Sequence, residues 1–174
     1  VASGGLNYIQ FFSDETVDVQ PVKISSKQRH QLETSLLLYY VGKPRKAKQI
    51  LEDVDKSLCS GENKQTFHNI REQAERVRSL ISAGDDCLGV TLRRGWELKK
   101  KMSPNITNGF VDKILQRAFD LGCTGGKLLG AGSSGFILLE HKNHADLSKA
   151  LGLRTLPVKF DTDGSIVIFS DNNI

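Results

Sequence analysis

The sequence predicts a two-layer α+β sandwich, and three observations predict it. Apolar runs of strand length (residues 36–41, 127–129 and 136–139) are separated by long segments whose apolar residues recur at helical spacing. A glycine-rich hexapeptide, Gly130-Ala131-Gly132-Ser133-Ser134-Gly135, joins two of those runs as the loop of a hairpin. A short helix and further strand-like runs close the chain. From residue 36 on, the order is strand, helices, strand, glycine loop, strand, short helix, strand. That is a βαββαβ, ferredoxin-like order with inserted helices.

The elements follow in turn. Residues 6–12 and 16–22 read as strands, the second alternating through Val17 and Val19, with Asp14-Glu15 as their turn. A lone hairpin is marginal in water, so residues 1–25 are expected to finish a truncated N-terminal domain. Residues 26–174 form the C-terminal one. Val1-Ala2-Ser3-Gly4-Gly5 is no signal peptide, and the chain is expected to begin inside a longer protein. Residues 25–31 are polar and read as a linker. Residues 36–41, Leu-Leu-Leu-Tyr-Tyr-Val, read as a central strand buried on both faces.

Pro44 suits a first helical turn, and Ala47, Ile50, Leu51 and Val54 carry that helix onward. A second helix spans residues 63–83, with Phe67, Ile70, Ala74, Val77, Leu80 and Ile81 as its apolar stripe and Gly84 as its stop. Asp85-Asp86 is read as the cap of a third helix, where Trp96 is core and Lys99-Lys100-Lys101 is a solvated helix end. Asn108 caps a fourth, residues 109–121, with Phe110, Val111, Ile114, Leu115, Ala118 and Phe119 inward and Gly122 beyond its end. Beyond the glycine loop come a short helix to Leu151, a strand over residues 155–160 and a possible extra strand over 165–169. Asp163-Gly164 is the turn between those two.

Composition bounds the function. At 39% hydrophobic and 25% charged, the 174 residues have a globular balance, and the net charge of +4 permits anionic partners without naming one. Cys59, Cys87 and Cys123 are scattered and odd in number, which argues against a disulfide framework or a zinc site. With no run of 18 apolar residues, the reading is a soluble, cytoplasmic protein without membrane contact. His141 and His144 share i, i+3 spacing but straddle a strand end and a helix start, so they are not read as metal ligands.

The glycine loop carries the chemistry. Its glycines free the backbone so that N–H groups can converge on an anion. It is no Walker loop, because Lys127 precedes the glycines. It is no nucleophile elbow, because Gly132-Ser133-Ser134-Gly135 lacks the Gly-x-Ser-x-Gly spacing. Gly130-Ala131-Gly132, with Gly135, resembles the C-terminal glycine motif of the GHMP small-molecule kinases. Ser133 and Ser134 stand where glycine is commoner there. Gly4-Gly5-Leu6-Asn7-Tyr8-Ile9 resembles the heptose-phosphate kinase branch of that family, and residues 95–103 resemble the family's helix at that place. A fucokinase- or galactokinase-like sugar kinase is the second choice.

The resemblance implies an ATP-dependent kinase that moves a phosphoryl group to a sugar or sugar-phosphate hydroxyl, with Mg²⁺. It implies that Gly130, Ala131, Gly132, Ser133, Ser134 and Gly135 lie near nucleotide or substrate. Arg45 is the candidate for a substrate phosphate, because its fork suits a phosphate. The nucleotide loop and the catalytic base are expected upstream of Val1, in the N-terminal ATP-binding domain, so no catalytic residue and no metal ligand is assigned in this chain. The chain alone is expected to be inactive, and its exposed strands could pair in a homodimer. The alternative is a ferredoxin-like nucleic-acid-binding module. It is weaker because Leu128-Leu129 and Ile137-Leu138 offer no aromatic platform for bases.

Overall fold

The computed structural model describes residues 3–42, 47–166 and 168. Strands β1 (Asn7–Phe11) and β2 (Val17–Pro21) form an antiparallel two-stranded sheet of their own. Glu15 sits at φ 67° in their turn, where Asp14 Oδ1 accepts from the Thr16 N–H at 3.0 Å. Ile9, Phe11, Phe12, Val17 and Val19 remain exposed along this hairpin.

Helix α1 (Ser26–Ser35) occupies the stretch expected to be a linker. Apart from Leu32 its residues are polar, and none is buried, so no apolar period announces it. The signal present was a capping box. Ser25 Oγ accepts from Gln28 N at 3.2 Å, and Gln28 Oε1 accepts from Ser25 N at 2.8 Å. Four strands then build the main sheet in the order β4-β5-β3-β6, all neighbours antiparallel. They are β3 (Leu36–Gly42), β4 (Gly125–Leu128), β5 (Gly135–Glu140) and β6 (Thr155–Pro157). With helices α2 (Ala47–Cys59), α3 (Lys64–Ala83), α4 (Leu88–Lys100), α5 (Gly109–Asp120) and α6 (His144–Leu151), this is the α+β sandwich with ferredoxin-like strand order.

The core lies on one face of the sheet. Tyr39 and Val41 of β3, Ile137 and Leu139 of β5 and Leu128 of β4 meet Ile50, Trp96, Val111, Leu115, Ala118 and Leu147 from the helices. Trp96 is 1% exposed, as its core reading requires. The other face is only half covered. Leu38 lies between Leu138 and Leu156, and Lys127 lies beside Leu138. Directly paired residues share a face, so Lys127 belongs to this second face. β3 is therefore central but buried mainly on one side, not on both.

Other expectations need correction. Leu51 and Phe110 point to solvent at 54% and 53% exposure, because the stripes of α2 and α5 are narrower than their apolar content. Asp85 and Asp86 cap nothing. The residue before α4 is Cys87, and no side chain caps that helix. β6 stops at Pro157, and among the described residues no strand follows Gly164. Ser165, Ile166 and Ile168 are unpaired, while residues 167 and 169–174 lie outside the described set. Instead, residues 159–161 tie the chain end to earlier elements. Glu33 of α1 accepts from Lys159 Nζ and from Phe160 N, each at 2.9 Å. No described helix is long and apolar enough to cross a membrane.

Candidate functional site

The glycine loop spans the turn from β4 to β5, closed by Leu129 N donating to Phe136 O at 2.9 Å. Gly130 (φ 73°), Gly132 (φ 137°) and Gly135 (φ 115°) are in the left-handed half of conformational space, and Ser133 joins them at 66°. Only Gly adopts this at no steric cost. The loop's two sides differ. A Cβ on Gly132 would stand 2.6 Å from Ile106 O and 2.8 Å from Ile106 Cα, inside the protein. Among the described residues, a Cβ on Gly130 or Gly135 would meet nothing within 4 Å. Gly132 is thus required by packing, while Gly130 and Gly135 open outward.

Among the described residues, Ile106, Asn108 and Lys99 hold the loop in place. Ser133 N donates to Ile106 O at 2.8 Å. Asn108 Nδ2 donates to Ser133 O, while Asn108 Oδ1 accepts from Phe110 N and Val111 N at 3.0 Å, so one side chain caps α5 and fixes the loop. Lys99 Nζ, at the end of α4, donates to Gly130 O. Among the described residues, the amides of Gly130, Ala131 and Gly132 carry no protein acceptor. That leaves donors for an anion on the open side.

Lys99 corrects the reading of residues 99–101 as a solvated end. Burial disfavours the charge of its ammonium and lowers its pKa, and the nearby Lys127 charge lowers it further. Burial lowers Lys127 as well. Lys100 instead pairs with Glu97 at 2.9 Å. Neither Lys99 nor Lys127 was singled out from sequence as a site residue. Positions 99 and 127 meet only because α4 packs against β4, where a Cβ on Gly125 would stand 1.6 Å from Gly89 O.

Arg45 lies outside the described residues. His144 sits in a closed network in which Nε2 meets Ser35 O at 2.7 Å and Nδ1 meets Tyr39 OH at 3.1 Å. Ser35 O can only accept, so Nε2 carries the proton and Nδ1 accepts from tyrosine. Burial holds this imidazole below its ordinary value. Burial, and next the Glu140 charge, push the Cys123 thiol up to about 12, far from a nucleophile at neutral pH. On the half-covered sheet face Tyr40 and Phe136 stand with ring centroids 5.3 Å apart, an aromatic pair that the sequence reading overlooked.

A ferredoxin-like α+β domain with a glycine-rich hairpin loop is the class that this sheet order and this loop define. Residues 45–149 match the family GHMP kinases C terminal, and the chain belongs to that family. It is 30% identical over 151 residues to the D-glycero-alpha-D-manno-heptose 7-phosphate kinase of Campylobacter jejuni, covering 85% of this chain and 44% of that protein. It is 30% identical over 142 residues to the bifunctional fucokinase/GDP-fucose pyrophosphorylase of Arabidopsis thaliana, covering 79% and 13%. Among solved structures, a D-glycero-D-manno-heptose 1-phosphate kinase from Bacteroides thetaiotaomicron superposes with a TM-score of 0.64 at 25% identity, over 97% of this chain and 47% of that one. The chain spans less than half the length of each of these relatives.

Proposed function

We propose that this chain is the C-terminal part of an ATP-dependent sugar-phosphate kinase, working in the cytoplasm. Phosphoryl transfer is mostly positioning and electrostatics. The observation that carries the reading is the glycine loop, rigid on its Ile106 side and open on its Gly130 side. ATP with Mg²⁺ supplies the phosphoryl group and neutralises its charge. The residues that fit a phosphate here are the loop amides from Gly130 to Gly132, since no Cβ at Gly130 shields them. In this reading the exposed hairpin β1–β2 closes a sheet of the N-terminal, ATP-binding domain, which also supplies the base. A self-paired homodimer through those strands is the competing arrangement. The Tyr40–Phe136 pair favours the nucleic-acid alternative only weakly, because family membership already accounts for the sheet.

The test is a phosphotransfer assay with Mg-ATP and a panel of sugars and sugar phosphates. A polypeptide extended upstream to the length of the heptose 7-phosphate kinase should turn over. The 174-residue chain alone should not. Sustained turnover by the short chain, surviving repurification, would refute the division of labour. Failure of the long one on every sugar would refute the kinase reading.

Arg45 gives a second test. Its planar fork donates bidentately to a phosphate, and it lies three residues past Gly42, which pairs with Gly135 at the loop's base. Arg45→Ala should raise KM for a phosphorylated sugar by about tenfold, one charged hydrogen bond's worth, with little effect on KM for ATP. Equal effects on both substrates would assign Arg45 to the solvated surface.

A further inference from the structure

Beside the glycine loop runs a groove of about 610 Å³ between β1, α3 and α4. Its walls are apolar, with Phe67, Ile70, Val77 and Leu92 among them. Asn7, Tyr8, Arg78 and Thr91 also line it, with Arg78 stacked over the Tyr8 ring at 4.7 Å, and three further polar side chains matter here. Lys99 and Lys127 stand at the end nearest the loop, and among the described residues neither has a carboxylate partner. Gln73 lies further along. Its Nε2 donates to Thr91 O at 2.6 Å, while its Oε1 is buried with no hydrogen-bond partner.

Each feature points to a ligand. Two neighbouring ammonium groups without a counter-charge cost free energy that an anion recovers. A buried amide oxygen without a donor costs free energy that a hydroxyl recovers. The Gln73 amide lies 3.5 Å from where a Cβ of Gly95 would stand. Gly95 precedes Lys99 by one helical turn, about 6 Å. One ligand with a phosphate at one end and hydroxyls along its length meets all three groups.

We propose that Lys99, Lys127 and Gln73 form a subsite for a phosphorylated sugar, with the phosphate between the two lysines and a hydroxyl donating to Gln73 Oε1. Lys99 then has two tasks, because the same ammonium that meets the phosphate anchors Gly130 O and so couples acceptor binding to the loop. The choice of a sugar phosphate rests on the kinase reading above. Binding by the chain is read without turnover, so either can fail alone.

The experiment is a ¹H–¹⁵N NMR titration of the 174-residue chain with mannose 6-phosphate, mannose, inorganic phosphate and ATP. Mannose 6-phosphate should bind most tightly of the four and shift the amides of Lys99, Leu128 and Gly130. Lys127→Met, which keeps the apolar stem and loses the charge, should weaken mannose 6-phosphate and inorganic phosphate by about tenfold each. Gln73→Leu should weaken mannose 6-phosphate and leave inorganic phosphate unchanged. Lys100→Met, at the Glu97-paired neighbour, should change neither. Unchanged phosphate affinity in Lys127→Met overturns the proposal, and so does mannose binding as well as its phosphate. ATP binding more tightly than mannose 6-phosphate, with its affinity lost in Lys127→Met, assigns the lysines to the donor and overturns the acceptor subsite.

Discussion

Gly125→Ala should remove a large share of this chain's stability. The added methyl would stand 1.6 Å from Gly89 O, 2.3 Å from its carbonyl carbon and 2.8 Å from its Cα. All three are backbone atoms, so no rotamer change relieves the clash. Helix α4 must lift off β4, and Lys99 then no longer reaches Gly130. A cost above about 4 kcal/mol is expected, against a total stability of about 5–15 kcal/mol for a domain of ordinary size. Gly89→Ala should be milder, because its methyl meets the Thr124 and Glu140 side chains instead. Gly109→Ala is the control. Gly109 opens α5, and nothing lies within 4 Å of its added methyl. That substitution should be neutral or stabilise by up to about 1 kcal/mol. Urea unfolding followed by circular dichroism reads all three. A Gly125→Ala midpoint equal to that of the unmodified chain would show that α4 and β4 are not held in contact.

This contact also explains what the sequence could and could not say about the site. Strands β3, β4 and β5 were legible because short apolar runs over residues 36–41, 127–129 and 136–139 each abut a glycine, and α5 because Asn108 and Gly122 mark its ends. The glycine loop was legible because three glycines exceed the needs of a plain turn. Its inner side was not. Which glycine turns toward Ile106 depends on how residues 103–108 pack, and nothing in the hexapeptide records that. Gln73, Lys99 and Lys127 were unreadable as a group for the same reason. They lie on α3, α4 and β4, where Gln73 meets α4 at Thr91 and Lys127 meets it across the Gly89–Gly125 contact, and a lysine in a basic run looks solvated until the run is folded. Helix α1 failed for a different cause. It has no buried residue, so hydrophobic period was the wrong instrument and the Ser25–Gln28 capping box the right one.

Gly132→Val should cost stability, not only turnover. The sequence alone favours the opposite, a loop glycine whose substitution clashes with a ligand and spares the fold. The geometry places the clash inside. The new Cβ would stand 2.6 Å from Ile106 O, the atom that accepts from Ser133 N, and Ile106 is fully buried in the core. A β-branched residue at φ 137° adds backbone strain of about 1–3 kcal/mol, and forcing it against Ile106 adds about 1–3 kcal/mol more. Gly130→Ala separates packing from ligand contact. Its φ of 73° costs about 1–2 kcal/mol, but its methyl points into open space. Denaturation of the chain should therefore rank Gly132→Val well below Gly130→Ala. In a kinase extended to full length the order of effects on KM for ATP should reverse among the folded molecules, because only the Gly130 methyl stands where a phosphate would approach the loop amides. If Gly132→Val unfolds at the same urea concentration as the unmodified chain, the loop does not rest on Ile106, and the inner and outer roles of these two glycines must be exchanged.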